Sequence, residues 1–191
     1  MMNNSVHIIS GIYKNTKIKF PNAQGLRPTS NRVKETLFNW ISNQWNHNFT
    51  NKHILDLFAG SGSLGFEAAS RGVKFIQMVE KNKLAVNFIK TICKNININN
   101  ISIYQGDSID FLCSKRKQNF DLVLLDPPFK YEHFEKIWHY LPNILKDGCL
   151  VYIESDSIVK TPSFLHAIRN GKAGLVNFSL SVYKDNNINL L

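Results

Sequence analysis

Apolar positions in the first quarter of the chain indicate a hairpin followed by a helix. Residues 6–10 and 16–20 are short strand-like segments on either side of a turn, which predicts two paired strands. After an extended linker, apolar side chains recur at helical spacing as far as Trp45, and Ser30 or Asn31 can cap the start of this helix. The polar stretch that follows predicts a boundary.

The rest of the chain alternates between strand and helix patterns, which is typical of a parallel sheet with helices on both faces. We therefore expect an extension at 1–48 and an α/β domain at 49–191. Gly148 is expected to end the last helix before the next strand. The predicted strands are 53–59, 75–80, 101–105, 120–126, 149–154, 164–169 and 175–184. One predicted helix follows the first of these strands and ends near Arg71. The others span 83–97, 107–115 and 131–145.

Composition and charge narrow the classes of function. The chain has 191 residues, 43% of them hydrophobic, and a net charge of +9. Residues 1–55 hold seven basic side chains against one acid, and a basic end on a nearly neutral body favours contact with a polyanion. The longest apolar run, residues 149–153, is too short to span a membrane, and no secretory signal pattern is visible, so we expect a cytoplasmic protein. Three scattered cysteines favour neither a disulfide framework nor a metal site.

A glycine-rich turn and two acids stand where predicted strands end. Gly60, Gly62 and Gly65 form the spacing G-x-G-x-x-G between a strand and a helix. Such a turn lets a ligand lie against the backbone at a helix start, and by itself it fits NAD, FAD or S-adenosylmethionine. Glu80 ends the next strand, where a carboxylate can accept ribose hydroxyl protons. Asp107 follows the third strand, where an acid can bind an adenine amino group or form an ordinary turn.

The most informative motif follows a buried strand. Residues 126–129 are Asp-Pro-Pro-Phe, and the two prolines remove two backbone donors while leaving carbonyl oxygens free for a ligand. Asp126 and one such carbonyl provide two acceptors, which suit the two protons of an exocyclic amino group. Phe129 offers a stacking face to a planar base. The motif therefore predicts a site for an amino-bearing base.

These motifs resemble those of a known family. Asp-Pro-Pro-Phe resembles the signature of S-adenosylmethionine-dependent methyltransferases that act on planar amino or amide nitrogens, and residues 56–65 look like their cofactor-binding motif. Residues 26–40, which include Leu-Arg-Pro-Thr and Arg-Val-Lys-Glu, are similar to a segment of bacterial 16S ribosomal RNA (guanine-N2)-methyltransferases of the guanine-966 type. The likeness extends from about residue 6 to residue 184.

The resemblance implies a Rossmann-like class I methyltransferase with a mostly parallel seven-stranded sheet. It also implies methyl transfer from S-adenosylmethionine to guanine N2 of 16S ribosomal RNA, or of an assembling 30S particle, by a monomer that needs no metal. The residues implied to act on the base are Asp126, Pro127, Pro128 and Phe129. Those implied to bind the cofactor are Asp56, Phe58, Ala59, Gly60, Gly62, Glu80, Lys81, Asp107 and Ser108. Those implied to contact RNA are Arg27, Thr29, Arg32 and Lys34.

Four other functions share part of this pattern. An adenine-N6 methyltransferase has the same tetrapeptide but usually carries a target-recognition region, for which 191 residues leave little room. A protein glutamine methyltransferase normally has Asn as the first residue of the motif. A dinucleotide-dependent oxidoreductase would not need Asp-Pro-Pro-Phe. A non-catalytic RNA-binding assembly protein would not need intact acids at Asp56, Glu80, Asp107 and Asp126.

Overall fold

The computed structural model describes residues 4–20, 30–114, 119–129 and 131–185. Two of the implied RNA contacts, Arg27 and Thr29, lie outside these residues, as does the predicted helix end at Lys115.

The N-terminal extension and the sheet strands follow the predicted order closely. The extension contains β1 (Asn4–His7), β2 (Lys17–Phe20) and α1 (Asn31–Gln44). The sheet strands are β3 (His53–Asp56), β4 (Phe75–Glu80), β5 (Ile101–Gln105), β6 (Phe120–Leu125), β7 (Leu145–Ser155), β8 (Leu165–Ala173) and β9 (Val176–Tyr183). The helices between them are α2 (Ser63–Ser70), α3 (Lys83–Asn95), α4 (Ser108–Cys113) and α5 (Phe134–Tyr140), followed by a 3₁₀ turn at Leu141–Ile144.

The sheet confirms the expected α/β class. Within the described ranges its seven strands stand in the order β5-β4-β3-β6-β7-β9-β8, with the first five parallel and β9 antiparallel to both neighbours. The chain proceeds from β3 toward one edge and from β6 toward the other, so the direction of winding reverses between these two strands. Ligands of open parallel sheets bind at such a reversal, beyond the carboxyl ends of the strands.

The predicted helix at 131–145 and the role given to Gly148 are wrong in part. The α-helix spans only Phe134–Tyr140, a 3₁₀ turn follows it, and β7 already starts at Leu145. Between the paired positions Leu145 and Leu150, β7 holds three more residues than β6 opposite, which makes a bulge. Gly148 lies in this bulge with φ +73°, a left-handed conformation that glycine adopts without a Cβ clash. It therefore bends a strand rather than ending a helix.

The hairpin of the extension packs against the C-terminal end of α2. Ile12 N–H donates to the Ser70 carbonyl oxygen at 2.8 Å, and Tyr13 N–H donates to Ser70 Oγ at 2.9 Å. Gly11 has φ +85°, and a Cβ built there would lie 1.8 Å from the Ser70 carbonyl oxygen. Glycine is therefore required at this contact.

A fully buried acid on α2 fixes the same hairpin. Glu67 accepts hydrogen bonds from the backbone N–H of Ile9 at 2.7 Å and of Ser10 at 3.1 Å. Its carboxylate also pairs with Arg71 Nε at 2.9 Å. Apolar residues of the extension and of the sheet belong to one core, which includes Ile8, Ile18, Leu37, Ile54 and Leu124. The division between 1–48 and 49–191 remains a prediction, although the two parts share this core.

Candidate active site

A cavity of about 700 Å³ opens along the carboxyl edge of the sheet, across the strands on both sides of the reversal. This volume is within the range usual for small-molecule and cofactor sites. Residues that follow β3, β4, β5 and β6 meet there because parallel strands end at the same edge. The predicted site residues that line the cavity are Asp56, Phe58, Ala59, Gly60, Glu80, Lys81, Asp107, Ser108, Asp126, Pro127, Pro128 and Phe129.

The glycine turn between β3 and α2 is built largely from hydrogen bonds within the protein. Gly62 has φ +76° and its N–H donates to the Ala59 carbonyl oxygen at 2.7 Å. A Cβ at Gly62 would lie 2.7 Å from the Phe66 ring, so the glycine allows α2 to start in close contact with the turn. Its amide is therefore occupied within the turn, and Gly62 is not among the residues that line the cavity. The implied cofactor contact of Gly62 stays a prediction.

Glu80 holds the neighbouring part of the turn. Its carboxylate accepts Gly60 N–H at 2.8 Å through Oε2 and Asn82 N–H at 2.7 Å through Oε1. The Gly60 amide is therefore also occupied, and Gly60 can offer a ligand only its bare Cα and its carbonyl. A carboxylate has about four lone-pair positions, so Glu80 can accept two further protons from the side of the cavity.

Asp56 is a buried carboxyl group at the end of β3, where it lines the cavity. Only 1% of its surface is exposed, and Oδ2 has no hydrogen-bond partner among the described residues. Burial raises the pKa of Asp56 to about 7, and the nearby charge of Glu80 acts in the same direction, while backbone N–H groups of Gly65 and Phe58 oppose it. An unpaired buried oxygen of this kind favours a cationic ligand beside it.

The raised pKa of Asp56 predicts a pH-dependent stability. Between its unfolded pKa near 3.8 and its folded pKa of about 7, the folded protein binds more protons than the unfolded chain, so this group's contribution to stability is lost as pH rises. The contribution should fall by roughly 2 to 3 kcal/mol between pH 5 and pH 8. Urea unfolding measures the free energy of unfolding at both pH values. Its change between pH 5 and pH 8 should be smaller for Asp56→Asn than for the unmodified protein. Equal differences for the two proteins would contradict the raised pKa.

The β5 side of the cavity combines an acid with aromatic rings. Asp107 is the N-cap of α4, and its Oδ1 accepts Ile109 N–H at 2.8 Å. Burial raises the pKa of the Tyr131 hydroxyl, and a weaker interaction with Ser108 opposes this shift. Tyr131 packs edge-on against Phe58 with ring centroids 5.2 Å apart. Sequence reasoning missed Tyr131 as a cavity residue, although it lies only two residues after the Asp-Pro-Pro-Phe motif.

The tetrapeptide that follows β6 forms the wall beside the glycine turn. Pro127 is buried, Asp126 is partly buried, and both line the cavity. Pro128 is exposed, and 47% of the Phe129 surface is exposed where the cavity opens. The tetrapeptide thus contributes a carboxyl group, two prolines and an aromatic ring to the lining of the cavity.

Sequence reasoning also missed a buried pair on the next strand. Tyr152 and Glu154 lie in β7, and the tyrosine hydroxyl donates to Glu154 Oε2 at 2.7 Å. Glu154 lines the cavity although only 7% of it is exposed. Its place at the carboxyl end of the strand beside the motif could have identified it.

The two described residues implied to contact RNA have different surroundings. Arg32 is exposed on the first turn of α1, between Ser30 and Val33, which line the cavity. Lys34 is only 1% exposed, and its Nζ donates to the His7 carbonyl oxygen at 2.5 Å and to Ser63 Oγ at 3.2 Å. Burial lowers the pKa of Lys34. Since its ammonium group joins the hairpin to the start of α2, Lys34 is corrected from an RNA contact to a structural residue.

The described residues contain neither a metal-binding group nor a membrane-spanning helix. Across the part of the chain that the structure describes, no group of three or more His, Cys, Asp or Glu side chains is placed to hold a metal ion. Nor does any helix in that part have the length and apolarity needed to cross a membrane. The three cysteines are free thiols.

Known proteins resemble this chain over nearly its whole length. The family model described as Conserved hypothetical protein 95 matches residues 6–182. Ribosomal RNA small subunit methyltransferase D of Haemophilus influenzae is 38% identical over 185 residues, covering 92% of each chain. The protein of the same name from Buchnera aphidicola subsp. Baizongia pistaciae is 36% identical over 188 residues, covering 95% of this chain and 94% of its own. A solved Escherichia coli protein described as a candidate methyltransferase has a TM-score of 0.84 and 30% identity, covering 96% of this chain and all of the other.

Proposed function

The chain belongs to the conserved hypothetical protein 95 family, and on that premise we propose that it is an S-adenosylmethionine-dependent methyltransferase of small-subunit ribosomal RNA. The finer proposal is that the methyl group goes to N2 of a guanine in 16S RNA, of the guanine-966 type. The observation that carries it is the position of Asp-Pro-Pro-Phe, which lines one cavity together with the glycine turn and with acids from the carboxyl ends of β3, β4, β5 and β7.

The residues of the cavity fit S-adenosylmethionine. The unpaired Oδ2 of Asp56 and the carboxylate of Glu80 suit a ligand that is cationic and carries ribose hydroxyls. Asp107 and the ring of Phe58 suit an adenine at the β5 side. Ala59, Gly60, Lys81 and Ser108 line the same space. When bound, this cofactor supplies an electrophilic methyl group on a sulfonium sulfur.

The tetrapeptide holds the base that accepts the methyl group. Guanine N2 is a poor nucleophile because its lone pair is conjugated with the ring. In this proposal Asp126 and the Pro127 carbonyl accept the two N2 protons, which turns the lone pair out of the ring plane, and Phe129 stacks on the base. Pro128 stiffens the backbone that aligns these groups. Asp126 takes up the proton that N2 releases on methylation.

RNA would approach the open side of the cavity. Arg32 is exposed beside two residues that line the cavity, where it can neutralise a phosphate. Arg27 and Thr29 remain proposed contacts on sequence grounds alone. The substrate is proposed to be 16S RNA or an assembling 30S particle, and the enzyme a cytoplasmic monomer.

Labelled methyl transfer tests this function directly. Undermodified small-subunit RNA or particles are incubated with the protein and labelled S-adenosylmethionine, and the digested RNA is analysed by nucleoside type. N2-methylguanosine as the labelled product supports the proposal. N6-methyladenosine would identify an adenine enzyme instead, and the absence of any labelled nucleoside would reject RNA methylation.

Glu80→Ala should weaken S-adenosylmethionine binding by about 10- to 100-fold, since hydrogen bonds to a charged group contribute roughly 1.5 to 3 kcal/mol. The variant loses the acceptors for the ribose hydroxyls and the support of Gly60 N–H. Isothermal titration calorimetry measures the affinity. Glu135→Ala, which removes an exposed acid from α5, is the matched control. An unchanged affinity in Glu80→Ala would refute the assignment.

A further inference from the structure

The side chain beside the proposed catalytic motif is a second carboxylate. In the parallel pairing of β6 with β7, Leu125 stands opposite Ile153. The next residues, Asp126 and Glu154, therefore follow at the same level on neighbouring strands, whose backbones are about 4.8 Å apart. Both side chains line the same cavity.

Glu154 is held in one orientation by a buried tyrosine. Tyr152 is completely buried, and its hydroxyl donates to Glu154 Oε2 at 2.7 Å. Burial and the charges of Glu154 and Asp126 raise the pKa of Tyr152, so the phenol stays protonated as a donor. The hydrogen bond places the hydroxyl at Glu154, and the pairing of β6 with β7 places Asp126 on the neighbouring strand. A carboxylate placed at a cavity wall with a dedicated donor is oriented before any ligand arrives.

The edge of guanine offers three protons in a row, two on N2 and one on N1. If Asp126 and the Pro127 carbonyl take the N2 protons, the N1 proton needs a further acceptor on the same wall. Adenine has an unprotonated N1, whose lone pair would face a carboxylate oxygen unfavourably. A site built to accept a proton discriminates strongly against a base that lacks it.

We propose that Glu154 accepts the N1 proton of the target base and thereby selects guanine over bases with an unprotonated N1. This inference rests on the proposed function, because it assumes that an amino-bearing purine occupies the space beside Asp126. It assigns Glu154 to recognition and Tyr152 to the positioning of its carboxylate.

The test replaces the target guanine with 2-aminopurine, which keeps the amino group but has an unprotonated N1. RNA with either base is ligated from synthetic fragments, and kcat/KM for methyl transfer is measured on both. The unmodified protein should prefer guanine by about 10- to 100-fold. Glu154→Gln, whose amide can donate to N1, should reduce this preference at least about fivefold. 2-Aminopurine also lacks the O6 atom of guanine. Because this difference affects the unmodified protein and the variant equally, it cancels when their preferences are compared.

Two further variants control the experiment. Tyr152→Phe removes the hydroxyl that orients Glu154 and should also reduce the preference, by a smaller factor. Glu132→Gln changes an exposed acid and should leave the preference unchanged. S-adenosylmethionine affinity, measured by calorimetry, confirms that each variant is folded.

The possible failures can be told apart. If the unmodified protein forms no N2-methylguanosine, the proposed function itself fails. If it forms N2-methylguanosine but Glu154→Gln and Tyr152→Phe both keep the guanine preference of the unmodified protein, only the role of Glu154 is refuted. An equal loss of activity on both RNAs would also refute it, since that result indicates a structural rather than a selective role. If Glu154→Gln does not fold, Tyr152→Phe alone decides in the same way.

Discussion

Replacing Asp126 with alanine is expected to lower kcat for guanine methylation by about 100- to 1000-fold, the usual cost of losing one polar contact that stabilises a transition state. The carboxylate accepts a hydrogen bond from N2 before methyl transfer, and it faces the positive charge that develops on N2 during the transfer. S-adenosylmethionine affinity should change by less than about twofold, because in the proposed arrangement Asp126 contacts the base. Single-turnover kinetics with saturating cofactor measure the loss of rate, and calorimetry measures the affinity.

Two variants sharpen this test. Asp126→Asn retains one acceptor oxygen but not the charge, so its rate should fall between those of the alanine variant and the unmodified protein. Asp147→Ala removes an exposed acid at the start of β7, at the opposite edge of the sheet, and should retain full activity. Near-normal turnover in Asp126→Ala with intact cofactor binding would overturn the proposed mechanism.

The second large effect concerns stability. Glu67→Ala should lower the free energy of unfolding by about 3 to 5 kcal/mol, the cost of breaking a buried ion pair by removing one partner. The substitution leaves the N–H groups of Ile9 and Ser10 and the guanidinium of Arg71 without the acceptor they share. It also removes the negative charge that favours the buried ammonium of Lys34. Urea unfolding followed by circular dichroism measures the change.

The surroundings of Glu67 supply the controls. Glu67→Gln keeps one acceptor oxygen and should be less destabilised than the alanine variant. Glu132→Ala, at an exposed position, should change the unfolding free energy by less than about 0.5 kcal/mol. A loss in Glu67→Ala no larger than in Glu132→Ala would show that the hairpin contributes little to stability.

The sequence predicted those parts of the site that depend on local pattern and on the fold class. Alternating strands and helices imply a parallel sheet, and a parallel sheet brings the ends of its strands to one edge. Glu80, Asp107 and Asp126 could therefore be placed together before their distances were known. The cap of α1 at Ser30 is equally local, since its side chain accepts from Val33, three residues later.

The features that the sequence did not predict depend on partners far along the chain. Lys34 belongs to a basic segment, and only its contacts with His7 and Ser63, 27 and 29 residues away, show that it is buried. Gly148 follows a helical pattern, and only the pairing of β7 with β6 reveals a bulge. Glu154 continues an apolar strand, and its place beside Asp126 follows only from the register of β7 with β6. Such pairings are set by tertiary packing rather than by propensity.

The docking of the hairpin on α2 has a consequence for the order of folding. Its hydrogen bonds to Glu67 and Ser70 join residues 57 to 60 positions apart, so a long loop must close before any of them forms. During synthesis at about 5 to 20 residues per second, the hairpin waits roughly 3 to 12 seconds for its partners to be made. The hairpin is therefore expected to be among the last segments to reach its final place, and a slow folding phase should be sensitive to substitutions at Gly11.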